Sequence, residues 1–141
     1  MPDNGLLVRG GTAAPFQAGV KIADVLDGTS NTIAAGEMGF QLKDYLFASG
    51  PYAGQVRGGN TQWVWGYASY SFGSTLVPMN TFVHANPAGL IGSGLHAFRS
   101  QHPSGANFLL GDGSVRFLTQ SIDLDAYQAM GTRAGGEVKQ P

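Results

Sequence analysis

A β-hairpin is encoded near the end of the chain by the stretch Asn107-Phe108-Leu109-Leu110-Gly111-Asp112-Gly113-Ser114-Val115-Arg116-Phe117-Leu118. Apolar residues on both sides of Asp112-Gly113 suit two strands. Asp-Gly is a strong short-range signal for the turn between them, because both residues can accept positive φ angles. The sequence therefore predicts an antiparallel strand pair that turns at Asp112 and Gly113.

Further elements are predicted on either side of this hairpin. Downstream, Ser121 and Asp123 offer acceptors for free N–H groups, which predicts a short helix over residues 124–130 that ends at Gly131. Upstream, the apolar positions 22, 25 and 26 suit one helical turn packed against a core and ended by Asp27-Gly28. The next stretch, residues 32–38, predicts a strand.

The composition favours a folded chain with many turns. Hydrophobic residues make up 43% of the 141 residues and charged residues only 12%, whereas disordered chains are polar and highly charged. The 22 glycines have no fixed period, so they indicate turns between short strands. We predict one α+β domain over residues 1–141, an antiparallel sheet with short helices and glycine-rich loops.

Several classes of partner and site are disfavoured by the same sequence. The net charge is −1 and no lysine or arginine run is present, so a nucleic-acid partner is not predicted. The chain has no cysteine, which excludes disulfides and cysteine-based sites. No apolar run approaches the ~18 residues of a membrane span, and the start of the sequence does not resemble a signal peptide.

Two blocks of sequence carry a family resemblance. The first is Ile22-Ala23-Asp24-Val25-Leu26-Asp27-Gly28-Thr29-Ser30-Asn31-Thr32-Ile33, followed by Gly36-Glu37. The second is Ser100-Gln101-His102-Pro103-Ser104-Gly105-Ala106-Asn107-Phe108, continuing to Asp112-Gly113 with nine residues between His102 and Asp112. Together they resemble the bacterial prepilin-like family that is named for its C-terminal His-x9-Asp-Gly domain, whose role is largely undefined.

This resemblance implies a type IV pilin-like or pseudopilin-like architecture, in which a β-rich head faces outwards from an apolar N-terminal helix. The sequence lacks that helix, so we expect a head domain or a stand-alone relative. The implied function is structural: a non-enzymatic subunit at the bacterial cell surface or in an extracellular assembly that self-associates as a homo-oligomer or filament.

The polar residues of the two blocks are expected to have structural roles. In an extended strand, His102 and Asp112 would lie roughly 30 Å apart, so we expect Asp112 to form the turn and His102 to bond to backbone in a loop. Short polar side chains such as those at 27–32 commonly satisfy turns and caps. The motif residues concerned are Asp27, Gly28, Ser30, Asn31, Glu37, His102, Asn107, Asp112 and Gly113.

Two other interpretations of these residues stay open. Residues 27–32 could form a polar site together with Glu37. Alternatively, an enzyme could use His102 with Asp112 or Glu37, which requires a hydrogen bond between them inside a cleft. No Gly-x-Ser-x-Gly elbow is present, so a serine hydrolase of that type is not supported.

Alternation over residues 61–72 predicts a strand with one aromatic face, formed by Trp63, Trp65 and Tyr67. Such rows pack in cores or between subunits, and they can also stack on sugar rings when exposed. The alternative function is therefore a surface module that binds a glycan or another ligand through this strand.

No cofactor or metal is predicted. If calcium binds, the candidate ligands are Asp112, Asp123 and Asp125, although their spacing is not that of an EF-hand. A zinc site would need His84, His96 and His102, whose spacing matches no familiar ligand pattern.

Overall fold

The fold is taken from a computed structural model that describes residues 5–6, 20–39, 42–44, 46–56, 72–83 and 94–136. Within these ranges it contains a small sheet, one α-helix and two short 3₁₀ turns, Ile22–Asp24 and Gly94–His96. None of the described helices is long and apolar enough to cross a membrane. The strands and the helix are β1 (Ile33–Gly36), β2 (Gly105–Leu110), β3 (Val115–Thr119) and α1 (Leu124–Ala129).

The three strands form an antiparallel sheet in the order β1-β2-β3. The predicted hairpin is confirmed, with Asn107 opposite Phe117 and Leu109 opposite Val115. Its connection is longer than a two-residue turn, because residues 111–114 separate the strands. Gly113 has a positive φ of 87°, whereas Asp112 does not and instead accepts hydrogen bonds from Ser114 through its side chain.

The two remaining local predictions in this region are also confirmed. The predicted strand at 32–38 is β1, which pairs with β2 through a register shift between Ile33 and Ala35. Asp123 caps α1, since its Oδ1 accepts a hydrogen bond from the N–H of Ala126 at 3.0 Å. The coarse prediction of an antiparallel sheet with short helices therefore agrees with the described structure.

The packing of the first helical turn was predicted incorrectly. A 3₁₀ turn forms at Ile22–Asp24, but only Val25 is buried, whereas Ile22 is 78% exposed and Leu26 is 77% exposed. The N–H groups of Leu26 and Asp27 both donate to the carbonyl of Arg133, at 2.7 and 3.2 Å. This backbone attachment to the C-terminal segment orients the turn so that Val25 is buried while Ile22 and Leu26 point away from the core.

The core lies between one face of the sheet and α1. Phe108 is fully buried at its centre, and its ring makes edge contacts with Phe98 (5.2 Å between centroids) and Tyr127 (5.9 Å). These geometries suit aromatic pairs, whose positive ring edges meet negative faces. The remaining buried members of this cluster are Ile33, Met79, Ala106, Leu110, Leu118 and Met130.

Residues 94–100 are held beside the segment that follows β1 by backbone and side-chain hydrogen bonds. The backbone of Arg99 pairs with Met38 and Glu37. Its buried guanidinium donates to the carbonyls of Gly39 and Gly94. Asn80 accepts the N–H of Ser100 at 2.8 Å. These contacts hold residues 94–100 beside β1 and thereby position the segment that follows.

Replacing Tyr127 with Phe tests the cost of a buried hydroxyl. Burial raises the pKa of the Tyr127 phenol, and its hydroxyl makes no hydrogen bond to any described residue. An unsatisfied buried polar group costs about 1–3 kcal/mol, so Tyr127→Phe should increase the free energy of unfolding by about 1 kcal/mol in urea titrations. Tyr127→Leu, which removes the ring contact with Phe108, should instead destabilise the fold; a loss of stability in Tyr127→Phe would contradict the prediction.

Candidate functional site

A polar cluster lies where β1 ends and β2 begins. The pairing of Gly36 with Phe108 brings Glu37 beside Asn107. One carboxylate oxygen of Glu37 accepts the backbone N–H of Asn107 at 2.8 Å, and the other accepts the side-chain amide of Asn107 at 3.4 Å. The carboxylate therefore fastens the first residues of β2 to the end of β1.

His102 joins this cluster from the loop that precedes β2. Its Nε2 lies 3.2 Å from Oε1 of Glu37, and its backbone N–H donates to the hydroxyl of Ser100 at 3.1 Å. The imidazole was expected to bond to backbone, so its carboxylate partner is a correction. Ser104 ends this loop at a positive φ of 64°, a costly angle for a residue other than glycine.

The hydrogen bonds to Glu37 define its protonation. Partial burial acts to raise its pKa, but hydrogen bonds from Asn107 and Ser100 and the charge of His102 outweigh burial and lower the pKa below the usual glutamate value. The carboxylate is therefore ionised and already engaged by donors near neutral pH. The side chain of His102 is 54% exposed, so the pair lies at the surface rather than enclosed.

A second carboxylate, Asp27, anchors the C-terminal segment. It is buried and accepts hydrogen bonds from the backbone N–H groups of Gly135 (2.8 Å) and Gly136 (3.0 Å) and from the hydroxyl of Thr132 (3.3 Å). A buried carboxylate needs such compensation, because burying an unpaired charge is costly. We call Asp27 with residues 132–136 the Asp27 clasp.

The residues after Asp27 pack against the tip of the hairpin. The N–H of Gly111 donates to the carbonyl of Thr32 at 2.8 Å, and the N–H of Asp112 donates to the carbonyl of Thr29 at 3.2 Å. Asn31 donates from its side chain to the carbonyl of Asp27, and Ser30 is exposed. The two sequence blocks thus form one continuous structural unit.

The polar site hypothesised for residues 27–32 together with Glu37 is not assembled. Asp27 lies before β1 and Glu37 follows it, so a strand of about 13 Å stands between them. His102 and Asp112 likewise lie at opposite ends of β2, and only the pair of Glu37 with His102 comes within hydrogen-bond distance. Side chains at opposite ends of one strand cannot act on the same small substrate.

Two of the three aspartates considered for calcium, Asp112 and Asp123, have separate local partners. Asp112 binds Ser114, which lowers the pKa of the Asp112 carboxyl, and Asp123 caps α1. In the described ranges, no group of three or more His, Asp or Glu side chains is arranged to hold a metal ion. Trp63, Trp65, Tyr67 and His84 lie outside the described residues, so the aromatic face stays a prediction.

The outward face of the sheet carries an exposed apolar surface. Leu109 is 40% exposed, Val115 is 69% exposed and Phe117 is 46% exposed. Ala35, opposite Leu109 on β1, is exposed as well. The ring of Phe117 lies over Gly105, where a Cβ atom would fall 2.5 Å from the ring. We call Ala35, Leu109, Val115 and Phe117 the outer apolar patch.

The polar cluster continues the outer apolar patch along the sheet. Glu37, Asn107 and Phe117 form one cross-strand row, and Ala35, Leu109 and Val115 form the next. Glu37 and Asn107 therefore form a polar corner of this face, and Phe117 continues the apolar patch beside them.

The sequence did not predict that Ser100 binds Glu37 or that Gly135 and Gly136 bind Asp27. These partners lie far apart in the chain, and no local pattern connects them.

Comparison with known proteins identifies a family for most of the chain. The family model described as "Protein of unknown function (DUF1559)" matches residues 1–125 of the chain. Searches of curated proteins and of solved structures return no match.

The Asp27 clasp makes a prediction for stability. In Asp27→Asn, an amide nitrogen replaces one carboxylate oxygen and faces N–H and O–H donors, so the free energy of unfolding should fall by about 2 kcal/mol. Asp24→Asn is the matched control, because Asp24 lies three residues away, is exposed and accepts the backbone N–H of Lys21. Its effect on the free energy of unfolding should stay within about 0.5 kcal/mol. If urea titrations show the same loss of unfolding free energy in Asp27→Asn and Asp24→Asn, the stabilising role of the Asp27 clasp is wrong.

The lowered pKa of Glu37 predicts that this side chain stabilises the fold in a pH-dependent way. Because its folded pKa is lowered, the carboxylate stabilises the protein above the unfolded value of 4.5 and loses this effect as the pH falls through the folded pKa. Glu37→Gln should therefore be less stable than the wild type near neutral pH, by about 1–2 kcal/mol. The difference should shrink as urea titrations are repeated at acid pH. A difference that stays constant from neutral to acid pH would contradict the prediction.

Proposed function

We propose that this chain, which belongs to the DUF1559 family, is the β-rich head of a pilin-like or pseudopilin-like subunit that self-associates in an assembly at the bacterial cell surface. The observation that carries the proposal is the outer apolar patch, an exposed hydrophobic surface on a three-stranded antiparallel sheet. Contiguous exposed apolar surface on a folded domain marks an interaction site.

The energy available from this patch suits association between subunits. Fully burying a Val, Leu or Phe side chain contributes about 1.5–3 kcal/mol. Leu109, Val115 and Phe117 each retain a substantial exposed fraction that a partner could remove from water. The three side chains are cross-strand neighbours on one rigid hairpin, so little conformational entropy is lost when they are covered.

The chemistry of the motif residues supports a structural role over catalysis. Glu37 is ionised and engaged by Asn107, Ser100 and His102, which leaves it a poor proton acceptor for a substrate. Both carboxylate oxygens of Asp27 already accept hydrogen bonds from the backbone N–H groups of Gly135 and Gly136. The polar groups of both blocks therefore serve to join segments of the head.

A charge placed in the patch tests the proposal. Val115 is the most exposed member, so Val115→Lys should fold normally while it forces a hydrated ammonium into any interface. Losing the burial of one valine in each contact, about 1.5 kcal/mol, predicts self-association at least about tenfold weaker. Sedimentation equilibrium over a range of concentrations of the full chain measures this effect.

Ile22→Lys is the matched control, since Ile22 is 78% exposed and lies outside the patch. It should associate as the wild type does. The proposal fails if the wild type stays monomeric at every concentration and in surface preparations, or if Val115→Lys assembles as strongly as Ile22→Lys.

A further inference from the structure

We infer that the pair formed by Glu37 and His102 binds a divalent transition-metal ion, with zinc as the expected ion. The ion takes the place of the proton between Oε1 of Glu37 and Nε2 of His102, which lie 3.2 Å apart. This inference goes beyond the proposed self-association and does not depend on it. It also differs from the calcium and zinc sites considered from the sequence, because neither of those donor sets includes Glu37.

The spacing of the two atoms suits two ligands of one ion. Charge-assisted N–H···O bonds usually measure about 2.7–2.9 Å, so a separation of 3.2 Å is long for such a bond. Zinc binds imidazole nitrogen and carboxylate oxygen at about 2.0–2.2 Å, which in a tetrahedral site places two such ligands about 3.4 Å apart. The two atoms therefore need to separate by only a small fraction of an ångström to hold a zinc ion between them.

Glu37 is held in position for this role by its other contacts. Its second oxygen, Oε2, accepts the backbone N–H of Asn107 at 2.8 Å, and the side chain of Ser100 also donates to the carboxylate. Hydrogen bonds of this kind orient a metal ligand. Because the pKa of Glu37 lies below its usual range, the carboxylate is ionised near neutral pH and loses no proton when it binds a cation.

His102 is fixed by the loop that carries it. Its backbone N–H donates to the hydroxyl of Ser100 at 3.1 Å, and the N–H of Ser100, a buried residue, donates to the side chain of Asn80 at 2.8 Å. Two residues after His102, the carbonyl of Ser104 accepts the N–H of Gln120 at 2.8 Å. The loop is therefore fastened on both sides of the imidazole, and little freedom is lost when a metal ion binds.

The pair is open to solvent on one side, so an ion can enter and water can complete its coordination. The side chains of His102 and Glu37 are both partly exposed. The side-chain nitrogen of Asn107 lies 3.4 Å from Oε1 of Glu37. Rotation of this amide by half a turn exchanges its nitrogen for its oxygen, which then faces the ion as a third ligand.

The chemistry of the donors determines which ion is preferred. Imidazole nitrogen suits zinc and copper, whereas calcium and magnesium take oxygen ligands. One imidazole with one carboxylate therefore favours zinc over calcium. Since no third His, Asp or Glu side chain of the described ranges completes a metal-holding group, the ion keeps bound water and exchanges more readily than the ion of a closed, four-ligand site.

Isothermal titration calorimetry of the full chain with zinc sulfate tests the site. His102→Gln should weaken zinc binding by at least about tenfold, because losing a ligand costs no less than losing the hydrogen-bond partner of a ligand. His102 is exposed, so this variant should fold, which circular dichroism checks. His96→Gln is the matched control, since it removes one imidazole at another described position and should bind zinc as the wild type does. A millimolar excess of calcium should leave zinc binding unchanged.

Nitrogen-15 NMR of the imidazole rings identifies the ligand atom, because coordination by zinc shifts the resonance of the nitrogen that binds it. The expected result is a shift of Nε2 in His102. The inference is overturned if the wild type binds no zinc at millimolar concentration, if His102→Gln binds zinc as tightly as His96→Gln does, or if zinc shifts only the nitrogens of other histidines. These outcomes leave the proposed function untouched, since the effect of Val115→Lys on self-association is measured without zinc.

Discussion

The antiparallel pairing of β1 with β2 joins two parts of the chain that are separated by residues 37–104. Closing a loop of this length costs about 4 kcal/mol in its length-dependent part. Bonds at both ends of the strand pair offset this cost. At one end Thr29 and Thr32 accept the N–H groups of the hairpin tip, and at the other end Glu37 accepts those of Asn107.

This pairing also determines what each face of the sheet presents. Alternation along β2 sends Phe108 and Leu110 to the core, where Phe108 contacts Tyr127 of α1, and sends Asn107 and Leu109 outwards. The helix covers only the inner face. The outer face therefore combines the apolar patch with the Glu37 cluster, and both arise from the register of three short strands.

The motif residues include carboxylates and a histidine, the side chains that active sites commonly use, but here their contacts join segments of the fold. Asp27 and Glu37 each accept hydrogen bonds from backbone N–H groups, at opposite ends of β1, and His102 contacts Glu37. Each carboxylate joins segments that lie far apart in sequence, so its loss would release a loop or the C-terminal segment. Ser104, which follows His102 and has a positive φ, accepts through its carbonyl the N–H of Gln120, the residue after β3.

The sequence by itself determined the features that depend on neighbouring residues. The Asp112-Gly113 hairpin, strand β1 and the Asp123 cap were all predictable, because turn chemistry, alternation and capping act over a few residues. The four-residue length of the connection was not, since the Asp112 side chain binds Ser114 in place of a tighter turn.

Only the tertiary structure decided the partners of the motif side chains and the exposure of apolar ones. Glu37 with His102, and Asp27 with Gly135 and Gly136, are brought together by the path of the whole chain. Ile22 and Leu26 are exposed because the backbone of their turn is fastened to Arg133. The residue type determines which hydrogen bonds a side chain can donate or accept. Which group becomes its partner depends on the distances between segments, and these are set only when the chain folds.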